Sequence, residues 1–227
     1  DNAEPDFHVV DTESSLVSMV KELTISSGFS FDTETTSTNA MAAKLVGLSF
    51  AIETGKSWYV PVGHQQGKQV PLDIALRRLS PLLKNEDVPK VAHNANYDLT
   101  VLANHSIEIK KVHFDTMIAA HLSGRKSIGL KALALDCFNK EMTPISALIG
   151  TGKNQITMDQ VSIADSAHYA AADAHFTERL RWLFEQELQE KGLRTLLSEV
   201  EMPLIPVLVR MQLNGVAIDS ELLYIMS

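Results

Sequence analysis

The sequence predicts an α/β domain with a mixed central sheet flanked by helices. Two observations support this fold class. Near the N-terminus, three short strand patterns follow one another closely enough to form a β-meander, and later short apolar strands alternate with helical patterns. A length of 227 residues with 45% hydrophobic residues suffices for one substantial domain and a short extension.

The first half of the chain contains most of the predicted strands. Residues 7–10 have a strand pattern, and residues 13–23 have a helical pattern that Thr12 is placed to cap. The meander consists of three strands, 28–33, 45–52 and 57–62. The middle strand is almost wholly apolar, as expected of a strand covered on both faces. A polar loop then leads to an amphipathic helix, 72–83.

The second half is predicted to be mainly helical. Strands at 88–92 and 112–114 each lead directly towards a helix, and 144–154 is predicted as a loop with a short apolar patch. The predicted helices are 97–104, 115–122, 130–138 and 163–191. Gly192 ends the last of these, and Pro203 lies near the start of a further helix.

Two carboxylates occupy one end of a predicted buried strand, in Phe31-Asp32-Thr33-Glu34. Side chains two apart on a strand point the same way, so Asp32 and Glu34 converge. Converging carboxylates repel unless a proton or a cation lies between them, and hard divalent cations prefer oxygen ligands. The pair therefore indicates a cation site, although acids at strand ends are often only solvated or cap a turn.

Two further acids occupy predicted helices. Asp98 lies in a first helical turn, where the helix dipole favours a negative charge; the plainer interpretation is dipole complementation with Asn94 or Asn96 as the cap. Asp173 shares a helix face with Tyr169, four residues earlier; the plainer interpretation is an exposed acid beside a core tyrosine. With the strand pair, these residues form a constellation of four acids and one tyrosine.

Three segments resemble, in order, the exonuclease motifs of the DEDD superfamily. They are Phe31-Asp32-Thr33-Glu34, Asn94-x-x-Tyr97-Asp98 and Tyr169-x-x-x-Asp173. The resemblance is greatest to the tyrosine-bearing branch, found as the proofreading domain of family A DNA polymerases of the bacterial polymerase I type. Segments 45–52 and 152–155 also resemble that family, and 201–219 resembles the entry into the polymerase domain. The likeness extends from about residue 7 to residue 219.

The resemblance implies a fold, a domain division and a reaction. The fold would be the ribonuclease-H-like (DnaQ-like) exonuclease fold. Residues 1–193 would be the 3′-5′ exonuclease domain, and 194–227 the helical start of the polymerase domain. The implied reaction is removal of nucleotides from DNA 3′ ends by two-metal-ion phosphodiester hydrolysis, for proofreading. The implied partners are a single-stranded DNA 3′ end and the rest of the polymerase chain.

The resemblance also implies roles for the acids and the tyrosine. Asp32, Glu34 and Asp173 would hold the metal ion that activates water. Asp32 would bridge to a second metal ion, which Asp98 would reach directly or through water. Mg²⁺ or Mn²⁺ suits these oxygen ligands better than Zn²⁺. Tyr169 would orient the attacking water together with Glu34, because a phenol with a pKa of about 10 is a poor base at neutral pH.

Six residues are implied to contact the DNA strand, namely Thr33, Met41, Asn94, Tyr97, Arg125 and Ile145. Arg125 matches a family position that touches the strand, with a solvated loop arginine as the plainer alternative. Asn94 could hydrogen-bond the terminal nucleotide instead of capping a helix. Ile145 lies where the family often has an aromatic wedge against the last bases. Thr38 lies where a leucine is common, and Met41 could replace it.

Three alternatives stay open. His168 lies five residues before Asp173, the spacing of the sister branch with a catalytic histidine. On a helix His168 lies about 140° around from Asp173, whereas Tyr169 is nearly in line, so Tyr169 is favoured unless His168 stands on a loop. A ribonuclease D-like RNA 3′ exonuclease shares the acids and the tyrosine, but 201–219 argues against it. The intact acids argue against a catalytically silent domain.

Composition constrains location and DNA affinity. With 28 acidic and 20 basic residues, the fragment is expected to bind DNA weakly and in a salt-sensitive way. A single cysteine, Cys137, fits a reducing compartment, and no apolar run reaches membrane-helix length. The polar N-terminus is not a secretory signal, and a chain without an initial Met is expected to be a fragment. We therefore expect a cytoplasmic monomer without membrane association.

Overall fold

A computed structural model describes residues 6–226 and contains one six-stranded mixed sheet flanked by helices. The strands are β1 Asp6–Val9, β2 Phe29–Thr35, β3 Leu45–Ala51, β4 Lys56–Pro61, β5 Lys90–Ala92 and β6 Phe114–Asp115. Their order across the sheet is β1-β4-β3-β2-β5-β6. The meander β2-β3-β4 is antiparallel, whereas β1-β4, β2-β5 and β5-β6 are parallel. The predicted mixed sheet is confirmed.

The helices occupy most of the remaining chain. They are α1 Glu13–Ile25, α2 Leu72–Lys84, α3 Ala95–Asn104, α4 Thr116–Leu122, α5 Leu130–Phe138, α6 Ile145–Ile149, α7 Ile163–Glu190, α8 Arg194–Leu196, α9 Met202–Asn214 and α10 Ser220–Met226. Leu197–Glu201 forms a π-helical turn between α8 and α9. Thr12 caps α1 as predicted, and Gly192, with φ of +68°, follows the end of α7. Within residues 6–226, no helix is both long and apolar enough to cross a membrane.

Helix α7 packs against strands β1 to β5 and links them to the core. Its residues Ala170, Ala171 and Ala174 are fully buried, and such small side chains let the helix lie close to the sheet. The Ser30 hydroxyl of β2 donates a 2.7 Å hydrogen bond to the Ala174 carbonyl. The helix turn that contains Asp173 is therefore attached directly to the strand that carries Asp32.

One segment predicted as a loop contains a helix. Helix α6 begins after Pro144, whose backbone is extended, and it ends at Gly150, whose φ of +73° lies in the region that glycine tolerates best. Proline fixes a backbone angle compatible with a helix start. A helix of five residues is too short to show a helical period in its sequence, which explains the incorrect prediction.

The first turn of α3 is capped by Asp115, not by Asn94 or Asn96. The backbone N–H groups of Asn94 and Ala95 donate to Asp115 at 3.2 and 2.7 Å. Asp115 also caps α4, accepting from the N–H groups of Met117 and Ile118 at 2.9 and 3.2 Å. This single buried carboxylate therefore fixes the starts of two helices, because a helix N-terminus has N–H groups without partners inside the helix.

We predict that Asp115→Ala lowers the free energy of unfolding by about 2–4 kcal/mol, since it leaves four N–H donors without their acceptor. Ser162→Ala is the matched control, because Ser162 caps the start of α7 by one exposed hydrogen bond and should cost about 1 kcal/mol. Urea unfolding followed by circular dichroism measures both. Equal losses in the two variants would contradict the interpretation that Asp115 caps both α3 and α4.

Candidate active site

Asp32 and Glu34 project from β2 beside Asp173 of α7. One carboxylate oxygen from each of the three residues lies within 4.8 Å of the others. The β2 strand gives the first two a common direction, and the Ser30–Ala174 hydrogen bond keeps α7 against that strand. The structure therefore brings together three of the four acids that the sequence singled out.

Asp98 is held next to this cluster by Thr33. The Thr33 N–H donates to Asp98 Oδ1 at 3.0 Å, and the Thr33 hydroxyl donates to the same oxygen at 2.6 Å. Both bonds go to one oxygen, so the other carboxylate oxygen of Asp98 is not committed to Thr33. Asp98 is the neighbouring charge that contributes most to raising the pKa of Asp32, which places it electrostatically within the same site.

Burial raises the pKa of every acid in the site, and repulsion by the other site acids adds to this effect for Asp32 and Glu34. Burial is the largest cause, and it raises the pKa of Glu34 to about 8, that of Asp98 to about 7 and that of Asp173 to about 6. The pKa of Asp32 is raised well above its ordinary value by burial and then by the charges of Asp98, Glu34 and Asp173. The site thus favours protons or cations.

The tyrosine and the histidine of the third motif have different nearest partners. Helix α7 begins at Ile163, so His168 stands on the helix, is exposed, and its ring lies 5.5 Å from the Phe7 ring. Tyr169 lies on the side of Asp173, whose charge, after burial, raises the pKa of the Tyr169 hydroxyl. The arrangement places Tyr169, rather than His168, beside the carboxylates.

Lys131 of α5 completes the polar contacts of the site and was not singled out from the sequence. Its ammonium donates to the Tyr169 hydroxyl at 3.0 Å and lies 3.5 Å from Asp173 Oδ1. The positive charge lowers the pKa of Asp32, Glu34 and Asp173, against the effect of burial. No motif marks this lysine, since only the packing of α5 on α7 brings it near the acids.

A groove of about 640 Å³ opens beside the carboxylates. Four of the six predicted strand-contacting residues line it, namely Thr33, Asn94, Tyr97 and Ile145. The Tyr97 hydroxyl is hydrogen-bonded to the Thr35 hydroxyl and the Ser37 carbonyl, which fixes the ring at the groove wall. Asn94 has a left-handed backbone with φ of +67°, which Asn tolerates better than most residues.

The structure does not bring the other two predicted contacts to the groove wall. Met41 is 44% exposed and is not among the described lining residues. Arg125 forms an ion pair with Glu187 and lies over the Phe184 ring. Glu187 is about 21 Å along α7 from Asp173, at about 1.5 Å per residue. Substrate contact by these two residues therefore stays a prediction.

The donor set fits a divalent cation. Glu34 Oε1 is buried and accepts no hydrogen bond from the described residues, which is unusual for a buried carboxylate oxygen. The buried Asp173 Oδ1 forms an ion pair with Lys131 at 3.5 Å. All the converging atoms are oxygens, the ligand type that Mg²⁺, Mn²⁺ and Ca²⁺ prefer. The cluster of Asp32, Glu34 and Asp173 is thus able to hold such an ion.

A family model described as 3′-5′ exonuclease matches residues 7–189. The chain belongs to this exonuclease family. DNA polymerase I of Chloroflexus aurantiacus is 41% identical over 222 residues, which cover 96% of this chain and 24% of that protein. The exonuclease chain thus spans about a quarter of the length of this curated relative. The expected relationship to the exonuclease domain of DNA polymerase I is confirmed.

Solved structures share the fold. The POL domain of Pol1 from M. smegmatis, in complex with DNA primer-template and dNTP, aligns with a TM-score of 0.74 and 20% identity, covering 93% of this chain and 33% of that one. RNase D of Escherichia coli aligns with a TM-score of 0.71 and 16% identity, covering 91% of this chain and 51% of that one. The predicted ribonuclease-H-like exonuclease fold is confirmed.

We predict that the metal-free domain loses stability as the pH rises from about 4.5 to about 8. The fold raises the pKa of Glu34 from 4.5 to about 8, so the folded state favours the protonated carboxyl. The contribution of Glu34 to the free energy of unfolding is therefore complete below pH 4.5 and is lost as the pH rises through about 8. Thermal unfolding in EDTA at several pH values between 4.5 and about 8 measures how steeply stability falls with pH.

Glu34→Gln should make the fall in stability with pH smaller, because an amide cannot ionise while Asp32, Asp98 and Asp173 still can. The exposed Glu199→Gln is the control and should keep the wild-type slope. Mn²⁺ added at pH 8 should raise the unfolding temperature of the wild type more than that of Glu34→Gln. Identical pH profiles for Glu34→Gln and the wild type would contradict the electrostatic account.

Proposed function

We propose that this domain removes nucleotides from DNA 3′ ends, as the proofreading 3′→5′ exonuclease of a DNA polymerase I. The observation that carries the proposal is the convergence of the Asp32, Glu34 and Asp173 carboxylates within 4.8 Å, beside a groove of about 640 Å³ that Glu34 lines. Membership of the 3′-5′ exonuclease family supports the same reaction.

The acids would bind two divalent ions, Mg²⁺ or Mn²⁺. Asp32, Glu34 and Asp173 would hold one ion, and Asp98 would help Asp32 to hold the other, through the oxygen that Thr33 leaves free. Such ions lower the pKa of bound water and neutralise charge that develops on phosphate oxygens. Tyr169 would orient the attacking water with Glu34, because its pKa, raised by burial, makes the hydroxyl a donor rather than a base.

The groove would hold the last nucleotides of a single strand. Tyr97 and Ile145 offer apolar surface on its walls, and bases of any sequence pack on such surface. Asn94 offers an amide at the same wall for a sugar or base edge. A proofreading site must accept any terminal base, and this mixture of apolar and uncharged polar contacts suits that requirement.

DNA is favoured over RNA as the substrate. The 41% identical relative is a DNA polymerase I, and the likeness covers nearly the whole chain. The alternative of a ribonuclease D-like RNA exonuclease has a specific basis in the shared fold, at a TM-score of 0.71. Since 16% identity is evidence of the fold alone, this alternative is the weaker one.

We further propose that residues 1–193 form the exonuclease domain and that 194–227 begin the polymerase domain. Leu197, Met202 and Ile205 are buried in the main core, so this segment is packed on the exonuclease domain. The other side of α9 exposes Val207 and Met211, which are 51% and 63% exposed, and the rest of the polymerase chain would cover it. A cytoplasmic, monomeric state stays a prediction.

We predict stepwise shortening of 5′-labelled single-stranded DNA from its 3′ end in Mg²⁺ or Mn²⁺. Asp32→Ala should lower the rate at least about a hundredfold, because it removes an acid of the cluster. Tyr169→Phe should lower it about tenfold, because it removes only a positioning hydroxyl. Gel electrophoresis of the products at timed intervals measures both rates.

Asp136→Ala, which changes an exposed acid on α5, is the control and should leave the rate unchanged. An RNA strand of the same sequence tests the alternative substrate. Faster shortening of RNA than of DNA would favour the alternative of a ribonuclease D-like RNA exonuclease. Full activity of Asp32→Ala would contradict the proposed chemistry.

A further inference from the structure

Lys131 makes three contacts with the residues of the third motif. Its Nζ lies 3.0 Å from the Tyr169 hydroxyl oxygen and 3.5 Å from Asp173 Oδ1. The same Nζ lies 4.3 Å from the centre of the Tyr169 ring, within cation–π distance. One ammonium group thus contacts the hydroxyl, the ring and the neighbouring carboxylate.

Both sides of this contact are fixed by helices. Lys131 lies in the first turn of α5, and Leu133 and Ala134 of the same helix are fully buried. Helix α5 packs on α7, which carries Tyr169 and Asp173. The lysine side chain is 32% exposed, so it lies at the edge of the site rather than free in solvent.

The direction of the hydrogen bond constrains the tyrosine proton. An ammonium group only donates, so the Tyr169 oxygen accepts from Lys131. A phenol has one proton, and this proton must then point to another acceptor. Asp173, with which the Tyr169 hydroxyl forms a hydrogen bond, is one such acceptor. The attacking water of the proposed hydrolysis would be the other.

We propose that Lys131 is a positioning residue for hydrolysis, which holds the Tyr169 hydroxyl so that its proton is directed at the attacking water. This inference rests on the proposed exonuclease function. A lysine that only neutralised the acids would need proximity to the carboxylates and no contact with the phenol. The hydroxyl and ring contacts favour action through Tyr169.

A double-mutant cycle tests this coupling. Lys131→Met keeps the length of the side chain and removes the donor, and we expect kcat at saturating Mn²⁺ to fall about tenfold, with KM for the DNA strand changed by less than about twofold. Tyr169→Phe should cost about the same. The double variant should be about tenfold slower than the wild type, not about a hundredfold, because both changes remove one shared function.

A spectroscopic measurement tests the contact without activity. The chain has four tyrosines, so ¹⁹F NMR of the 3-fluorotyrosine-labelled domain should give four signals, and Tyr169→Phe identifies that of Tyr169. In EDTA, Lys131→Met should move this signal and no other. Lys126→Met, a change of an exposed lysine in the loop before α5, is the matched control and should move none and keep the wild-type kcat.

The outcomes separate the two proposals. An active wild type with an additive cycle, or a Tyr169 signal unmoved by Lys131→Met, would overturn the positioning role and leave the proposed function intact. An inactive wild type would overturn the proposed function and, with it, this inference. A non-additive cycle together with a shifted Tyr169 signal supports the role of Lys131.

Discussion

Four carboxylates in one poorly hydrated site repel one another, and much of the surrounding structure counteracts this repulsion. Burial alone raises the pKa of Asp32, Glu34, Asp98 and Asp173, and their mutual charges add to the effect on Asp32 and Glu34. Such a cluster cannot assemble by its own attraction. Its geometry must be imposed by elements whose positions are fixed by other interactions.

Three contacts provide that control. Ser30 ties α7 to β2 through the Ala174 carbonyl, one residue after Asp173. Thr33 holds Asp98 with its backbone and its side chain, so the strand that carries two acids also orients a third. Asp115 accepts a hydrogen bond from the N–H of Ala95, three residues before Asp98, and so fixes the start of the helix that carries Asp98. The Ser30 and Thr33 contacts use neutral hydroxyl and amide donors, so they add no repulsion between the acids. The Asp115 carboxylate is different, because its charge also raises the pKa of Asp98.

The sequence predicted the parts of the site that depend on local periodicity. A period of two on β2 and a spacing of four on α7 were enough to pair Asp32 with Glu34 and Tyr169 with Asp173. Lys131 could not be found in this way, because it reaches the site only through the packing of α5 on α7.

Long-range packing also explains the differences elsewhere. The sequence offered Asn94 or Asn96 as the plainer alternative for the cap of α3. The acceptor is Asp115, which parallel pairing of β5 and β6 brings alongside. Arg125 matched a family position, but its partner Glu187 is supplied by α7, and no sequence pattern links the two. Local rules thus describe each element, and tertiary contacts decide which side chains meet.

The groove would have to hold DNA without basic side chains on its described walls. The net charge is -8, and of the described residues that line the groove none is Lys or Arg. A strand in this groove would meet hydroxyls, amides and apolar side chains, while its terminal phosphate would approach a cluster of acids. Because phosphate and carboxylate repel, productive binding would require cations between them. The ions of the proposed hydrolysis would then also help to hold a strand end, which would restrict cleavage to metal-loaded sites.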